Sequence, residues 1–241
     1  MTNHLPLIIW VHGGAFRAGD KAGNVPLDYL DQGYAVASIN YRLSQHALFP
    51  AQIQDCKAAV RWLRAHAQRF NLDPHRFGAW GPSAGGHLVA MLGTAGNVNA
   101  FEVGEHLQQS SRVQAVVDYF GPTDFCQMDA HRLPDGMIHD TPDSPESELV
   151  GGPIQEHKDR VAAANPITYV TPDAPPFLIV HGEADPLVPC HQSRLLDAAL
   201  QKAGVPVLFY TVKGGGHGGF TDPKVVELTK TFLAKHLNPR V

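Results

Sequence analysis

A serine between two glycines, placed where an apolar run of strand type gives way to a helical pattern, constrains this chain more than any other feature. The stretch is Trp80, Gly81, Pro82, Ser83, Ala84, Gly85, Gly86. Upstream, residues 76–80 read as a short buried strand; downstream, Leu88, Val89, Met91 and Leu92 continue an apolar helix. A strand running straight into a helix must turn sharply. The residue at the tip takes a strained backbone conformation, and glycines two positions to either side leave room for the turn. The hydroxyl then projects clear of the sheet. Because the helix opens at the next residue, the N–H of Ala84 and the positive helix end face the space where a developing oxyanion is stabilised. An ordinary Gly-Ser turn has the same letters; the strand before and the helix after argue for the elbow.

Around this turn, strand and helix alternate. Residues 7–11 form a continuous apolar run, as expected of a parallel strand covered on both faces. A short helix over 23–32 and a strand over 34–39 follow. The clearest helix opens at Pro50, where Ile53, Cys56, Val60, Leu63, Ala67 and Phe70 repeat every three or four residues. Asn71, Leu72, Asp73 and Pro74 break it before the elbow strand. Further strands are predicted over 113–120, 177–180 and 207–212, with helices over 192–202 and 225–236. The pattern predicts an α/β chain with a mostly parallel sheet and helices on both faces, in one domain spanning 1–241. Residues 125–176 are rich in Pro, Gly and charge, with short helices near 146–149 and 156–164. That length suggests an insert forming a partial cap over the site, with disorder as the alternative.

Other strand ends carry chemistry. Residues 7–11 run into His12, Gly13, Gly14, Ala15 and Phe16, where adjacent glycines let the backbone approach a substrate and turn N–H groups toward it; a plain strand-end turn is the alternative. The strand over 177–180 leads to Asp185, and the strand over 207–212 leads to His217, set among five glycines that permit a tight loop. Serine needs a histidine to take its proton, and the histidine needs an acid to fix its tautomer. Ser83, Asp185 and His217 supply that set from three strand ends. Asp124 also follows a strand and is the rival acid; His87, four residues past the serine, reads as a packing residue of the departing helix. Phe16 and Phe220 either flank an aryl or sugar group or pack in the core.

Composition excludes other classes. The formal charge is -4 with scattered Lys and Arg, so nucleic acid is not an expected partner. No apolar run is long enough for a membrane span, and Met1, Thr2, Asn3 and His4 lack a leader pattern, which places the chain as written in the cytoplasm, or outside the cell if its start is truncated. Cys56, Cys126 and Cys190 are three and far apart, so no disulfide framework is expected. The 14 histidines show no metal spacing, and neither a metal nor a cofactor is expected.

Residues 12–16, 80–87, 181–189 and 214–220 together resemble the motifs of the serine esterases of the α/β-hydrolase superfamily, in the hormone-sensitive-lipase-like group, with Ser, Asp and His in that family's chain order. Asn40, Tyr41, Arg42, Leu43 with Phe49, Pro50, Ala51, and the run from Ser144, Pro145, Glu146 to Gly151, Gly152, resemble the branch that includes feruloyl and acetylxylan esterases. The likeness spans nearly the whole chain. It implies the α/β-hydrolase fold, Ser83 as nucleophile with Asp185 and His217 as partners, and the N–H groups of Gly14, Ala15 and Ala84 as oxyanion donors. Ala15 replaces a glycine, and Gly13 is its alternative. The implied activity is a carboxylesterase acting on small-molecule short-chain or aryl-acyl esters, including acetyl or feruloyl esters of plant carbohydrates, through an acyl-enzyme. A serine peptidase or a non-catalytic receptor of the same fold are the alternatives. Family members usually carry two strands ahead of the His-Gly-Gly strand; here either the start is truncated or the sheet lacks them. In their absence 34–39 becomes an edge strand, which favours a homodimer.

Overall fold

Leu7, Ile8, Ile9, Trp10 and Val11 leave no polar face, so a strand made of them needs cover on both sides. In the computed structural model, which describes residues 4–237, they lie in β1 (Leu5–Val11) and are all buried. The reading of Met1, Thr2 and Asn3 falls outside the described residues. Five further strands, β2 (Ala35–Ile39), β3 (Leu72–Pro82), β4 (Ala115–Tyr119), β5 (Phe177–Gly182) and β6 (Val207–Val212), join β1 in one parallel sheet of order β2-β1-β3-β4-β5-β6. Among the described residues, β2 has a strand neighbour on one side only. The helices are α1 (Ala51–Ala65), α2 (Ala84–Thr94), α3 (Pro145–Val150), α4 (Lys158–Ala164), α5 (His191–Lys202) and α6 (Pro223–Leu237).

Alternation along β1 divides the core. Leu7, Ile9 and Val11 pack with Ile53 and Val60 of α1, Leu88 of α2 and Leu196 of α5, whereas Ile8 and Trp10 share the opposite face with Phe232 and Leu233 of α6. Burying each such side chain is worth about 1.5–3 kcal/mol, so the apolar run in the sequence and the two-sided cover in space are one constraint.

Three boundaries differ from expectation. The helix read from Pro50 through Phe70 ends at Ala65, and Ala67–Phe70 form a separate 3-10 helix. The helix expected over 23–32 is a 3-10 helix at Leu27–Gln32, closed by Gly33 at φ 83°. β3 starts at Leu72 rather than at residue 76, because Leu72 already pairs with Leu5; the ladder then slips before Leu7 pairs with Phe77. Pro74, with no N–H to give, lies in the slipped stretch. The 125–176 segment is folded: Phe125, Met128, Leu149, Val150, Ile154 and Val161 are buried in the core on the α2 side. Strand registers bring Trp10 beside Trp80, Gly81 beside Asp118, Tyr119 beside Val180 and Gly182 beside Val212. The strands therefore end together, and the loops after β1, β3, β5 and β6 meet at one sheet edge.

Candidate active site

Ser83 caps α2 with φ 56° and ψ −123°, a conformation that costs a non-glycine residue about 1–3 kcal/mol. Backbone bonds hold it: its N–H donates to the Tyr119 carbonyl at 2.8 Å, and its carbonyl accepts from His87 N–H at 3.0 Å. A Cβ on Gly81 would lie 2.7 Å from the Val11 carbonyl oxygen, and one on Gly85 would overlap that same oxygen. Both glycines are therefore required by the passage of β1 beside the turn.

The structure brings Ser83, His217 and Asp185 into one row. Ser83 Oγ is 2.9 Å from His217 Nε2, and His217 Nδ1 is 2.7 Å from Asp185 Oδ2. Asp185 is 2% exposed, and its Oδ1 accepts from the N–H groups of Leu187 at 2.8 Å and Val188 at 2.9 Å. Burial opposes its charge, but hydrogen bonds from His181, His217 and Val188 hold the carboxyl well below the usual carboxylate range. A carboxylate there only accepts, so Nδ1 of His217 carries the proton and Nε2 is left free to take one from Ser83.

The loop after β1 lies against the elbow, with a Cβ on Gly13 reaching to 3.4 Å from that of Ser83. Gly14 sits at φ 111° and Ala15 at φ 53°. Positive φ favours glycine, so Ala15 holds its place with some backbone strain. Among the described residues, the N–H groups of Gly14, Ala15 and Ala84 meet no protein acceptor. Tyr41 steadies this loop, its hydroxyl donating to the His12 carbonyl at 3.0 Å and its ring stacking on His12 at 4.4 Å.

The rivals are engaged elsewhere. Asp124 accepts from Cys126 N–H and from the Gln127 amide. His87 is fully buried, its Nδ1 donating to the Pro122 carbonyl at 2.9 Å, and burial lowers its pKa to about 4, so it is neutral. Phe16 is 1% exposed and belongs to the core, with its edge at a small pocket beside Ser83; Phe220 packs on Tyr119 and Phe120. Phe120, rather than Phe220, stands in the cleft wall with Ser83, His217, His12, Asp20 and Asn24. That cleft has a volume of about 570 Å³.

The model of the BD-FAE family matches residues 1–200. The chain belongs to the BD-FAE family. A probable carboxylic ester hydrolase, LipM of Mycobacterium tuberculosis, is 33% identical over 213 residues, which cover 87% of this chain and 48% of that protein. The chain spans about half the length of the curated relatives it matches. Among solved structures, a truncated carbohydrate esterase from gut microbiota superposes with a TM-score of 0.86 at 37% identity, over 96% of this chain and 86% of that one. An acetyl ester-xyloside bifunctional hydrolase from Caldicellulosiruptor lactoaceticus gives 0.81 at 25% identity, over 96% and 83%. The BD-FAE fold seen here is the α/β-hydrolase fold. Among the described residues, no helix is long and apolar enough to cross a membrane.

Two parts of this BD-FAE site carried little readable sign in the sequence. The first is a pocket of about 70 Å³ on the α2 side of Ser83, bounded by Ala15, Phe16, Pro122, Met137, His139 and Glu146 among others. His139 Nδ1 is 2.8 Å from Glu146 Oε2 and its Nε2 is 2.9 Å from the Leu187 carbonyl, so the 125–176 segment is tied to the acid loop. The second is His181, fully buried behind Asp185. Sequence spacing gave no reason to join His139 to Glu146 or His181 to Ser193; only the histidine of a His-Gly strand end hinted at the latter.

Proposed function

We propose that the chain is a serine carboxylesterase of short acyl esters, with Ser83 as nucleophile, His217 as general base and acid, and Asp185 as its orienting acid. In this reading Ser83 Oγ attacks the ester carbonyl carbon while His217 Nε2 takes its proton. The oxyanion forms against the N–H groups of Gly14, Ala15 and Ala84, and removing one such donor costs about 10²–10³ in rate. His217 then gives the proton to the leaving alcohol; water, activated the same way, releases the acid. The observation that carries this is the hydrogen-bonded row from Ser83 Oγ to Asp185, beside three N–H groups that meet no acceptor among the described residues.

The acyl group is read as small. The pocket beside Ser83, at about 70 Å³, is under half of the roughly 150 Å³ that holds a benzene ring. An acetyl or propionyl chain fits there; a feruloyl ring does not. The alcohol goes to the open cleft, where Asp20, Asn24 and His12 offer polar groups suited to a sugar. The names of the carbohydrate esterase and of the acetyl ester-xyloside hydrolase agree with that. The 125–176 segment serves as a partial cap on a single domain, and β2 is the edge along which a second copy would pair; sedimentation of the protein tests the pairing.

A panel of p-nitrophenyl esters by chain length, with feruloyl and acetylated-sugar esters and matched amides, tests the reading. Acetyl and propionyl esters should exceed dodecanoyl and feruloyl esters by tenfold or more in kcat/KM, about 1.4 kcal/mol for each factor of ten. Greater turnover of amides, or of dodecanoyl esters, overturns it.

A further inference from the structure

Asp185 is held by more than its own loop. His181, at the end of β5, places Nε2 3.2 Å from Asp185 Oδ2 and 2.9 Å from the Val188 carbonyl, while its Nδ1 is 2.7 Å from Ser193 Oγ on α5. His181 and Ser193 are both fully buried. The proton positions follow from the partners. A carbonyl and an ionised carboxylate only accept, so Nε2 carries the hydrogen, which it donates to the Val188 carbonyl at 2.9 Å with the Asp185 oxygen beside it at 3.2 Å; Nδ1 is then bare and accepts from the Ser193 hydroxyl. Ser193 thereby fixes the tautomer that lets His181 donate toward Asp185.

We propose that His181, locked by Ser193, is a positioning pair for the acid of the triad: it orients the Asp185 carboxylate and moderates how strongly that carboxylate draws on His217. The proposal rests on the esterase reading above. Its physical basis is the same Oδ2 oxygen facing two imidazoles, His217 Nδ1 at 2.7 Å and His181 Nε2 at 3.2 Å. Oδ1 is already fixed by the N–H groups of Leu187 and Val188. With both oxygens tied, the carboxylate cannot rotate away from His217. A donor on the charged form also lowers the carboxylate's own affinity for a proton, so in the transition state the proton stays on the imidazole. Among the described residues, the Cys190 thiol also interacts with Asp185, and burial pushes it up and keeps it neutral. Partners standing behind a primary ligand in metal sites are worth about 10–100-fold in activity, a fair scale for this pair.

The test is the pH dependence of p-nitrophenyl acetate hydrolysis by His181→Leu, Ser193→Ala and His181→Gln. Removing the donor in His181→Leu should lower kcat by about 10–100-fold with little change in KM. It should also move the acid limb of kcat/KM to higher pH, because a less satisfied carboxylate holds the His217 imidazolium more tightly. Ser193→Ala should give a smaller change of the same sign. His181→Gln, whose amide N–H reaches as Nε2 does, should restore most of kcat and return the limb. Acid limbs that stay in place in both His181→Leu and Ser193→Ala overturn the proposal. So does a rate loss in Ser193→Ala that follows only the loss of folded protein. If His181→Leu does not fold, Ser193→Ala and His181→Gln decide it. An unaltered protein that turns over no ester overturns the esterase reading instead, whereas Ser83-dependent turnover with normal His181→Leu kinetics removes this proposal alone.

Discussion

The elbow and the acid loop hold their residues by different means. At the elbow, Ser83 is fixed by contacts that backbone makes with backbone: N–H to the Tyr119 carbonyl, carbonyl to the His87 N–H, and two glycines against Val11. At the acid loop, Asp185 is fixed by the side chains of His181 and His217, with Ser193 behind, as well as by its own turn. The first arrangement tolerates almost no added atom. The second tolerates atoms but not the loss of a polar group, since an unpaired buried charge is costly. Substitutions at the two places should therefore fail differently.

The largest expected effect separates the chemistry from both kinds of support. Ser83→Ala and His217→Ala should each lower kcat by about three to six orders of magnitude, and Asp185→Asn by about 10⁴, with folding retained. Steady-state kinetics on p-nitrophenyl acetate measures this. Asp124→Asn should leave kcat within a few-fold, because its carboxylate serves Cys126 and Gln127; a larger loss there than in Asp185→Asn would make Asp124 the acid.

At the elbow, Gly85→Ala should cost more than 4–5 kcal/mol and give little folded protein, since its Cβ overlaps the Val11 carbonyl and neither backbone segment can shift cheaply. Thermal unfolding followed by circular dichroism checks it, and a near-native Tm would show that the turn is looser than its contacts imply.

The same division separates the features that adjacent residues encode from those that they do not. The Gly81, Ser83, Gly85 pattern is a steric requirement, so it is written in adjacent residues and the turn was readable. The apolar run at residues 7–11 announced a two-sided strand for a similar reason. The partners of Asp185 and the pocket beside Ser83 are different. His139 and Glu146 lie seven residues apart, His181 and Ser193 twelve, and nothing in those intervals marks a hydrogen bond. Likewise the sequence leaves Phe220 either in the cleft or in the core, and it is the tertiary fold that packs it on Tyr119 and leaves Phe120 to face the cleft. Local sterics leave local signatures; polar networks assembled by the tertiary fold do not.

A smaller effect tests the side-chain type of support through pH. Burial disfavours a charged His139, but Glu146, the Leu187 carbonyl and Asp129 outweigh it, so folding raises the proton affinity of the imidazole. The stability this adds is complete below the unfolded value of about 6.5 and is lost as pH rises through the higher folded value. Wild type should therefore lose its Tm advantage over His139→Gln between mildly acidic and alkaline pH. An advantage that is constant, or that grows with pH, would mean the imidazole is neutral in the fold.

The smallest effect is at the loop after β1. Ala15→Gly relieves a side chain held at φ 53°, while glycine also gains freedom in the unfolded chain, so Tm should change by only a few degrees and kcat by less than threefold. A loss of tenfold or more would show that the alanine methyl, and not only its N–H, is needed at the site.

Rapid mixing of the unaltered protein with p-nitrophenyl acetate, followed by acid quench and peptide mass analysis, shows whether an acyl-enzyme forms on Ser83. An initial burst of about one p-nitrophenolate per chain is expected, with the acetyl group on the peptide that contains Ser83, and with neither burst nor acetyl peptide in Ser83→Ala. Hydrolysis with the acetyl group on another residue, or a burst that survives Ser83→Ala, would contradict the account.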